Sequence, residues 1–313
     1  GPERIGKYEL LKFLGGGMSH VYRARDTVMD RIVAVKILTE QGMSDADAKA
    51  RFLQEAKITC GFAHDNIIRI HDYGEENGRP FMVMEFLTGS DLRDAIRGNQ
   101  TGDLKNRLGI AIQIARALEF VHSKNVVHRD IKPENIHLDP QGRVRLMDFG
   151  IAKSHDLSLT KTGLALGTPY YMAPEQILGH PPTQQVDIYA YGILLYELLT
   201  GLKPVTGDTV ERLFYMILHE PLNMQPLYDS STPQPVIDLV ARCTAKKKED
   251  RVQTFGEVIS ILEDILRGDA PPAPAPVAEP VAAGSSKALW GVAVLVLLIA
   301  AGAAWFFFGR GGT

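Results

Sequence analysis

Two carboxylates, an amide and a lysine stand at spacings that suit phosphate chemistry. The run HRDIKPEN contains Asp130, Lys132 and Asn135, and Asp148 opens the tripeptide DFG, 18 residues after Asp130. A carboxylate can act as a general base and a lysine can contact phosphate, whereas Mg²⁺ prefers hard oxygen ligands such as a carboxylate and an amide. The set therefore supplies a base, a phosphate contact and metal ligands.

Two further motifs precede this set. The run LGGGMSHV spans 14–21, where glycines would let backbone N–H groups approach phosphate oxygens. Lys36 ends the apolar run VAVK, where a buried ammonium needs an anion, and Glu55 on the next helical stretch is a candidate partner. Taken singly, these motifs are better explained by a hairpin turn, a surface lysine and a solvated glutamate. Only the order of all the motifs together favours a catalytic function.

The elements that must position these residues fall into a β-rich part and a helical part. Beyond about Gly89, apolar residues recur at three- or four-residue spacing, and 188–199 is apolar nearly all round, as in a buried helix. A cleft is expected where the two parts join, near 85–89. In the β-rich part, strands are predicted over 8–14, 21–26 and 31–38, and a helix over 44–59.

In this order the motifs resemble the protein kinase family, and specifically the eukaryotic-like (Hanks-type) serine/threonine kinases of bacteria. The tripeptide APE at 173–175 follows Asp148 at the spacing of an activation segment. The resemblance covers about 8–266 and implies an α+β, bilobal protein-kinase fold. The expected kinase domain spans 8–267. Within it, residues 8–84 would form a β-rich N-lobe that includes helix αC, 85–88 a hinge, and 89–267 a mostly helical C-lobe.

The resemblance implies an ATP site between the lobes. Lys36 would contact the α- and β-phosphates, and Glu55 would be its partner on αC. Met84 resembles the gatekeeper, and the backbone of Glu85 and Leu87 would read adenine. The residues predicted to bind ATP and its metal, with Asp91 at the ribose, are Leu14, Gly15, Gly16, Gly17, Met18, Val21, Ala34, Lys36, Met84, Glu85, Leu87, Asp91, Asn135 and Asp148.

The resemblance also implies the catalytic roles. Asp130 should accept or orient the proton of the attacking hydroxyl, while Lys132 should steady the transferring phosphoryl group. Asn135 and Asp148 should hold Mg²⁺, with Mn²⁺ as an alternative ion. Lys132, placed two residues after the catalytic Asp, is similar to the serine/threonine branch, and Thr168 resembles the P+1 threonine of that branch. The expected activity is therefore ATP-dependent phosphorylation of Ser and Thr in protein substrates.

Two residues outside these motifs are implied to be structural. In members of the family, an aspartate corresponding to Asp187 braces the catalytic loop. An arginine corresponding to Arg251 pairs with the glutamate that matches Glu175. Both expectations come from the resemblance.

Regulation is expected in the segment between Asp148 and Thr168. Thr160 and Thr162 are candidates for autophosphorylation in trans, because a phosphate carries about −1.5 to −2 charge and would attract Arg129, next to the catalytic Asp. Phosphorylation in trans implies a transient homodimer. Plain loop hydroxyls explain each threonine about equally well.

The glycine-rich loop departs from the family's pattern. When the sequence is aligned on Val21, the usual first glycine falls on Leu14, and Ser19 stands where the third glycine is often found. A weaker or slower grip on ATP is therefore predicted. The alternative function is a pseudokinase scaffold that binds nucleotide weakly and acts by docking, although the presence of Lys36 and Asp130 favours an active enzyme.

The C-terminal part predicts a membrane anchor. Residues 288–308 are 21 consecutive uncharged residues, enough at about 1.5 Å per residue to cross a bilayer core as a helix. A Pro/Ala-rich juxtamembrane linker is expected at 268–287 and a short tail at 309–313. Because ATP is cytosolic, the expected location is the cell (inner) membrane, single-pass, with the kinase domain cytoplasmic. A tail anchor and a sensor domain beyond residue 313 both stay open.

Composition excludes several other classes. The chain has 313 residues with 34 Lys and Arg against 37 Asp and Glu, a formal charge of −3. That balance argues against a nucleic-acid partner, because phosphate-binding domains are usually strongly basic. Two cysteines are too few for a disulfide scaffold and lack the spacing of a metal site.

Overall fold

Six short strands form an antiparallel sheet at the start of the chain. The computed structural model describes residues 3–44, 46–149 and 169–268. The sheet has the strand order β1-β2-β3-β4-β6-β5, and each neighbouring pair is antiparallel. Its strands are β1 (Arg4–Ile5), β2 (Tyr8–Gly16), β3 (Ser19–Asp26), β4 (Arg31–Leu38), β5 (Ile70–Glu76) and β6 (Arg79–Glu85).

The hairpin between β2 and β3 is longer than the sequence pattern predicts, since it includes most of the glycine-rich loop. Gly15 and Gly16 have φ angles of 143° and 134°, a region that disfavours other residues. A Cβ at Gly16 would lie 1.9 Å from the carbonyl oxygen of Ser19. Glycine therefore permits the close backbone approach at Gly16, while its low strand propensity hid the extension from the pattern.

The helix predicted over 44–59 is confirmed, and a short helix that was not predicted precedes it. The short α1 (Glu40–Met43) begins after Thr39, whose hydroxyl accepts a hydrogen bond from the Gly42 N–H. The longer α2 (Ala46–Cys60) occupies the place expected for αC. Phe52 and Ala56 of α2 are buried in a cluster with side chains from β4, β5 and β6. This packing fixes α2 against the sheet.

The rest of the described chain is mainly helical, as predicted. A small sheet lies at its start, in the order β7-β8-β9. Its strands are β7 (Ser90–Asp91), β8 (Ile136–Leu138) and β9 (Val144–Leu146). The helices are α3 (Leu92–Arg97), α4 (Leu104–Ser123), α5 (Pro174–Ile177), α6 (Gln184–Thr200), α7 (Val210–His219), α8 (Gln225–Asp229), α9 (Gln234–Cys243) and α10 (Phe255–Arg267), with single 3₁₀ turns at Pro133–Asn135 and Lys248–Asp250.

Helix α6 forms the centre of the helical lobe, which confirms the prediction of a buried helix. Its residues from Val186 to Leu199 are all buried. The N-terminus is capped by the Thr183 hydroxyl, and the helix ends at Gly201 in the left-handed conformation. Tyr191 places its polar end inside the core by donating a hydrogen bond to the Ala111 carbonyl of α4, 3.0 Å away.

A buried ion pair ties α5 to the chain before α10. Arg251 donates to both carboxylate oxygens of Glu175, at 2.7 and 2.8 Å, and also to the carbonyls of Gln185, Ala245 and Lys246. The Arg251 side chain is 0% exposed. The expected pairing of these two residues is therefore confirmed, and it anchors the APE motif to the helical core.

In residues 3–44, 46–149 and 169–268 no helix is both long enough and apolar enough to cross a bilayer. The predicted membrane segment at 288–308 lies outside those ranges, as do the tail and all of the predicted linker except Gly268. Gly268 ends α10 with φ 80°. The anchor stays a prediction.

We expect Arg251→Met to lower the free energy of unfolding by about 3–5 kcal/mol, because it leaves the Glu175 carboxylate buried without its cation. Urea unfolding followed by circular dichroism measures this change. Arg267→Met is the matched control: Arg267 is 56% exposed and pairs with Glu263 at the surface. Its effect should stay within about 0.5 kcal/mol. A cost for Arg251→Met as small as that of the control would contradict the structural role.

Candidate active site

The ammonium of Lys36 joins the two lobes through carboxylates. Lys36 lies in β4, and its Nζ is 2.7 Å from Asp148 Oδ1 and 3.8 Å from Glu55 Oε1. Asp148 follows β9 of the small sheet, while Glu55 belongs to α2. The Lys36 side chain is only 15% exposed. The structure thus brings together three residues that the sequence separates by up to 112 positions.

Each member of this trio changes the protonation of the others. Burial would lower the pKa of Lys36, but attraction to Asp148 and Glu55 outweighs it and raises that pKa. Lys36 in turn holds the pKa of the Asp148 carboxyl below its usual range. Burial raises the pKa of Glu55 to about 7, although Lys36 opposes that shift. At neutral pH, Lys36 and Asp148 are charged and Glu55 is near its midpoint.

The catalytic-loop residues converge on the Asp130 carboxylate. Asn135 Nδ2 donates to Asp130 Oδ2 at 2.9 Å and to the Asp130 carbonyl at 2.7 Å. Lys132 Nζ lies 3.3 Å from the same Oδ2. The turn at Pro133–Asn135 makes this approach possible by folding the chain back. Both amide N–H groups of Asn135 face Asp130, so only its amide oxygen could serve as a metal ligand, a role that stays a prediction.

Asp187 holds the backbone of this loop. Its carboxylate accepts hydrogen bonds from the N–H groups of His128 and Arg129, at 2.8 and 2.9 Å. Its Oδ2 also lies 2.8 Å from His122 Nε2, at the end of α4. Arg129 has φ 67°, an uncommon conformation for a residue with a side chain. The expected brace is confirmed, but the sequence indicated no role for His122, because a contact across 65 positions leaves no local signal.

The ring of Phe149, the residue after Asp148, contacts both the catalytic loop at His128 and the segment after α2 at Phe62. Its ring centroid is 4.6 Å from that of His128 and 5.5 Å from that of Phe62. Asp148 itself has φ 43°. A backbone hydrogen bond from Phe149 reaches the Glu55 carboxylate. Burial lowers the pKa of His128, so this ring is neutral at pH 7.

Strand register places the expected adenine and phosphate residues side by side. Val21 of β3 is opposite Lys36 of β4, and Ala34 of β4 is opposite Met84 of β6. Leu14 and Met18 of the glycine-rich hairpin are about half exposed, at 46% and 50%. The weaker hold on ATP expected from Ser19 stays a prediction.

The hinge side chains have partners of their own. Glu85 Oε1 accepts hydrogen bonds from the Arg69 N–H at 2.9 Å and from Arg145 Nε at 3.3 Å, a link from hinge to β9 that the sequence did not reveal. Asp91 caps α3 by accepting from the Asp94 N–H at 2.8 Å. A contact of Asp91 with a ribose and the backbone contacts of Glu85 and Leu87 with adenine stay predictions. Thr160, Thr162 and Thr168 lie outside the described residues.

This arrangement is that of a protein kinase domain. The family model described as "Protein kinase domain" matches residues 8–261. That match covers most of the chain, so the chain belongs to the protein kinase domain family.

Among known proteins the chain is similar to three bacterial serine/threonine-protein kinases. It is 38% identical to PrkC of Bacillus subtilis over 271 residues, which are 86% of this chain and 42% of that protein. It is 39% identical to PknD of Mycobacterium tuberculosis over 268 residues, 84% of this chain and 40% of PknD. It is 34% identical to PknA of the same species over 282 residues, 88% of this chain and 65% of PknA. The chain therefore spans about two fifths of PrkC and PknD.

We expect the Glu55 side-chain carboxyl to titrate near pH 7 in the nucleotide-free protein, against 4.5 for an unshifted glutamate. Lys36→Met should move the midpoint higher, because Lys36 favours the ionised form. Between pH 4.5 and about 7 the folded protein keeps a proton that the unfolded chain has lost, so this group lowers the free energy of unfolding as pH rises.

Carboxyl ¹³C NMR of selectively labelled protein measures this titration. Lys49→Met is the control, because Lys49 lies on α2 and pairs with Glu75 at the surface. It should leave the Glu55 midpoint in place. A wild-type midpoint at 4.5 would contradict the buried environment assigned to Glu55.

Proposed function

We propose that the chain is a serine/threonine protein kinase that transfers the γ-phosphoryl group of ATP to Ser and Thr hydroxyls of proteins. The observation that carries the proposal is the convergence of Lys36 on Asp148 at 2.7 Å and of Lys132 and Asn135 on Asp130, within a chain of this family. The names of the three bacterial relatives support the same activity. A pseudokinase scaffold is not favoured, because the charged groups of the site are present and engaged with one another.

The chemistry follows from the two carboxylate centres. The substrate hydroxyl oxygen forms a bond to the γ-phosphorus, the bond from that phosphorus to the bridging oxygen of ADP breaks, and Asp130 orients the hydroxyl and takes its proton. Lys132, next to the Asp130 carboxylate, stabilises the negative charge on the moving phosphoryl group. Lys36 holds the α- and β-phosphates in line. Alignment and charge neutralisation then supply most of the acceleration.

The donor set fits a divalent cation that is shared with nucleotide phosphates. Asp148 is 51% exposed at its side chain, and the Nδ2 group of Asn135 is used by Asp130, so the Asn135 amide oxygen is the atom left for a cation. In the part of the chain that the structure describes, no group of three His, Cys, Asp or Glu side chains could hold a metal alone. Mg²⁺ is commonly bound by one or two protein ligands together with substrate phosphates, so Asn135 and Asp148 suit Mg²⁺, with Mn²⁺ as an alternative.

Regulation and location are part of the same proposal. Autophosphorylation in trans at Thr160 or Thr162, through a transient homodimer, would bring a phosphate to the cation of Arg129. Residues 288–308 would anchor the protein in the cell membrane as a single span, with the kinase domain in the cytoplasm, where ATP is found. The uncharged run of 21 residues supports this anchor.

Asp130→Asn should lower phosphate transfer by about 10²–10⁴-fold, because it removes the group that takes the hydroxyl proton. The full chain is incubated with radiolabelled ATP, Mg²⁺ and a generic protein substrate, and the labelled amino acids are identified after hydrolysis. Phosphoserine and phosphothreonine are expected. Asp229→Asn, which changes an exposed carboxylate at the end of α8, is the control and should transfer phosphate normally. Label that is independent of Asp130, or found on tyrosine alone, would refute the proposal.

The Thr160→Ala/Thr162→Ala double variant should incorporate less phosphate into the kinase itself and phosphorylate substrate roughly tenfold more slowly, a coupling of ordinary size for a switch. Mass spectrometry of the autophosphorylated chain locates the phosphate. Ser158→Ala, in the same segment, is the control. Full phosphorylation and full activity in the double variant would exclude regulation through these threonines.

A further inference from the structure

The ammonium of Lys203 is enclosed by a carboxylate and two aromatic rings. Its Nζ lies 3.2 Å from each carboxylate oxygen of Glu197 and 2.8 Å from the Tyr171 hydroxyl. The same nitrogen is 4.9 Å from the ring centroid of Tyr170 and 4.7 Å from that of Tyr171. Lys203 lies just beyond Gly201, the C-cap of α6, and Glu197 lies in the last turn of that helix.

Glu197 requires a cation, since its side chain is only 9% exposed. The Tyr171 hydroxyl donates to Glu197 Oε2, and the charge of Glu197 together with burial raises the pKa of Tyr171. The Lys203 ammonium contacts the Glu197 carboxylate and the Tyr171 phenol oxygen, and it also makes cation–π contacts with the rings of Tyr170 and Tyr171. The chain therefore supplies its own cation to this acidic site.

The site lies beside the catalytic loop. Tyr171 packs against the core that buries Ile131, the residue after Asp130. Tyr170 and Tyr171 also pack against a buried cluster that Val127, the residue before His128, packs against. The charge of Glu134, which precedes Asn135, helps to raise the pKa of Tyr171. A peptide whose hydroxyl reaches Asp130 would place flanking residues near this surface.

The carboxylates of Glu134 and Glu197 are each already paired with a cation of the chain itself. Glu134 Oε1 lies 3.7 Å from Arg93 Nη1, and Glu197 is paired with Lys203. A substrate lysine or arginine could pair with Glu197 only by displacing Lys203. The displaced ammonium would lose its carboxylate and its aromatic contacts at the same time.

We propose that Lys203 is a specificity-determining residue that neutralises Glu197, so that the kinase selects acceptor peptides without a basic residue at the position that faces this site. The inference rests on the proposed kinase function and names its substrate class. This selection acts against basic residues: the positive charge of Lys203 disfavours a substrate Lys or Arg at this site, and it adds no contact for a neutral residue.

Paired serine peptides test this selection. Each pair carries either Arg or Gln at one position within three residues of the serine, and kcat/KM is measured for the full chain with MgATP. For the wild type, the Arg-to-Gln ratio should be below one at the position that faces this site and should not exceed one elsewhere. Lys203→Met should raise the ratio by about tenfold at one position, the factor for one charge-assisted contact. Lys203→Arg keeps the charge and should retain the wild-type ratios.

The double variant Lys203→Met/Glu197→Gln removes both charges, and its ratios should return to the wild-type values. Lys203→Met leaves a buried carboxylate without its cation, so thermal unfolding is recorded for every variant. Lys203→Gln keeps a hydrogen-bond donor for Glu197, and it replaces Lys203→Met, with the same expected gain, if that variant does not fold.

Two results would overturn the proposal. One is that Lys203→Met, or Lys203→Gln in its place, shows the same Arg-to-Gln ratio of kcat/KM as the wild type at every position. The other is a gain that persists in the double variant. Absence of Asp130-dependent transfer by the wild type would instead refute the kinase function itself, so the two failures are distinguishable.

Discussion

The contact on which the site depends is the ion pair between Lys36 and Asp148, at 2.7 Å. One partner belongs to the sheet of the N-lobe and the other follows the small sheet of the C-lobe, so their distance is a measure of how the lobes close. This ion pair stabilises the protein little in itself, because the desolvation of Lys36, which is only 15% exposed, opposes the attraction. Its value is positional: it holds an ammonium and a carboxylate where phosphates and a metal ion would meet them.

The same contact explains the position of α2. Glu55 lies 3.8 Å from Lys36 and receives the Phe149 backbone N–H, so a shift of α2 would change both the charge balance and the DFG motif. Arg129, within the catalytic loop, and Asp148 have positive φ angles of 67° and 43°. Such conformations persist where the surroundings determine them. Asp187, on the buried helix α6, accepts the Arg129 backbone N–H, and Lys36 pairs with Asp148.

Much of this architecture could be predicted from the order of motifs. The β-rich lobe, the mostly helical lobe and the buried helix at 188–199 agree with the structure, because strand alternation and an all-apolar helix are local signals. The predicted helix at 44–59 corresponds to α2, whereas the short helix α1 before it and the extension of β2 and β3 into the glycine-rich loop were not predicted. There the chain direction is set by the Thr39 cap and by glycine conformation, which hydrophobic periodicity does not report.

By itself, the sequence determined which chemical groups are present and in which order, and those groups identify the family. Only the tertiary structure decided how they meet: Lys36 with Asp148, Glu85 with Arg145, and Lys203 with Glu197 beneath Tyr171. Packing of β9 and α6 against their neighbours brings Asp148 to Lys36, Arg145 to Glu85 and Glu197 to Tyr171 from separate parts of the chain. Contacts of this kind depend on distance in space, which a one-dimensional pattern does not contain. The cation that occupies the acidic site beside the catalytic loop is therefore a property of the fold.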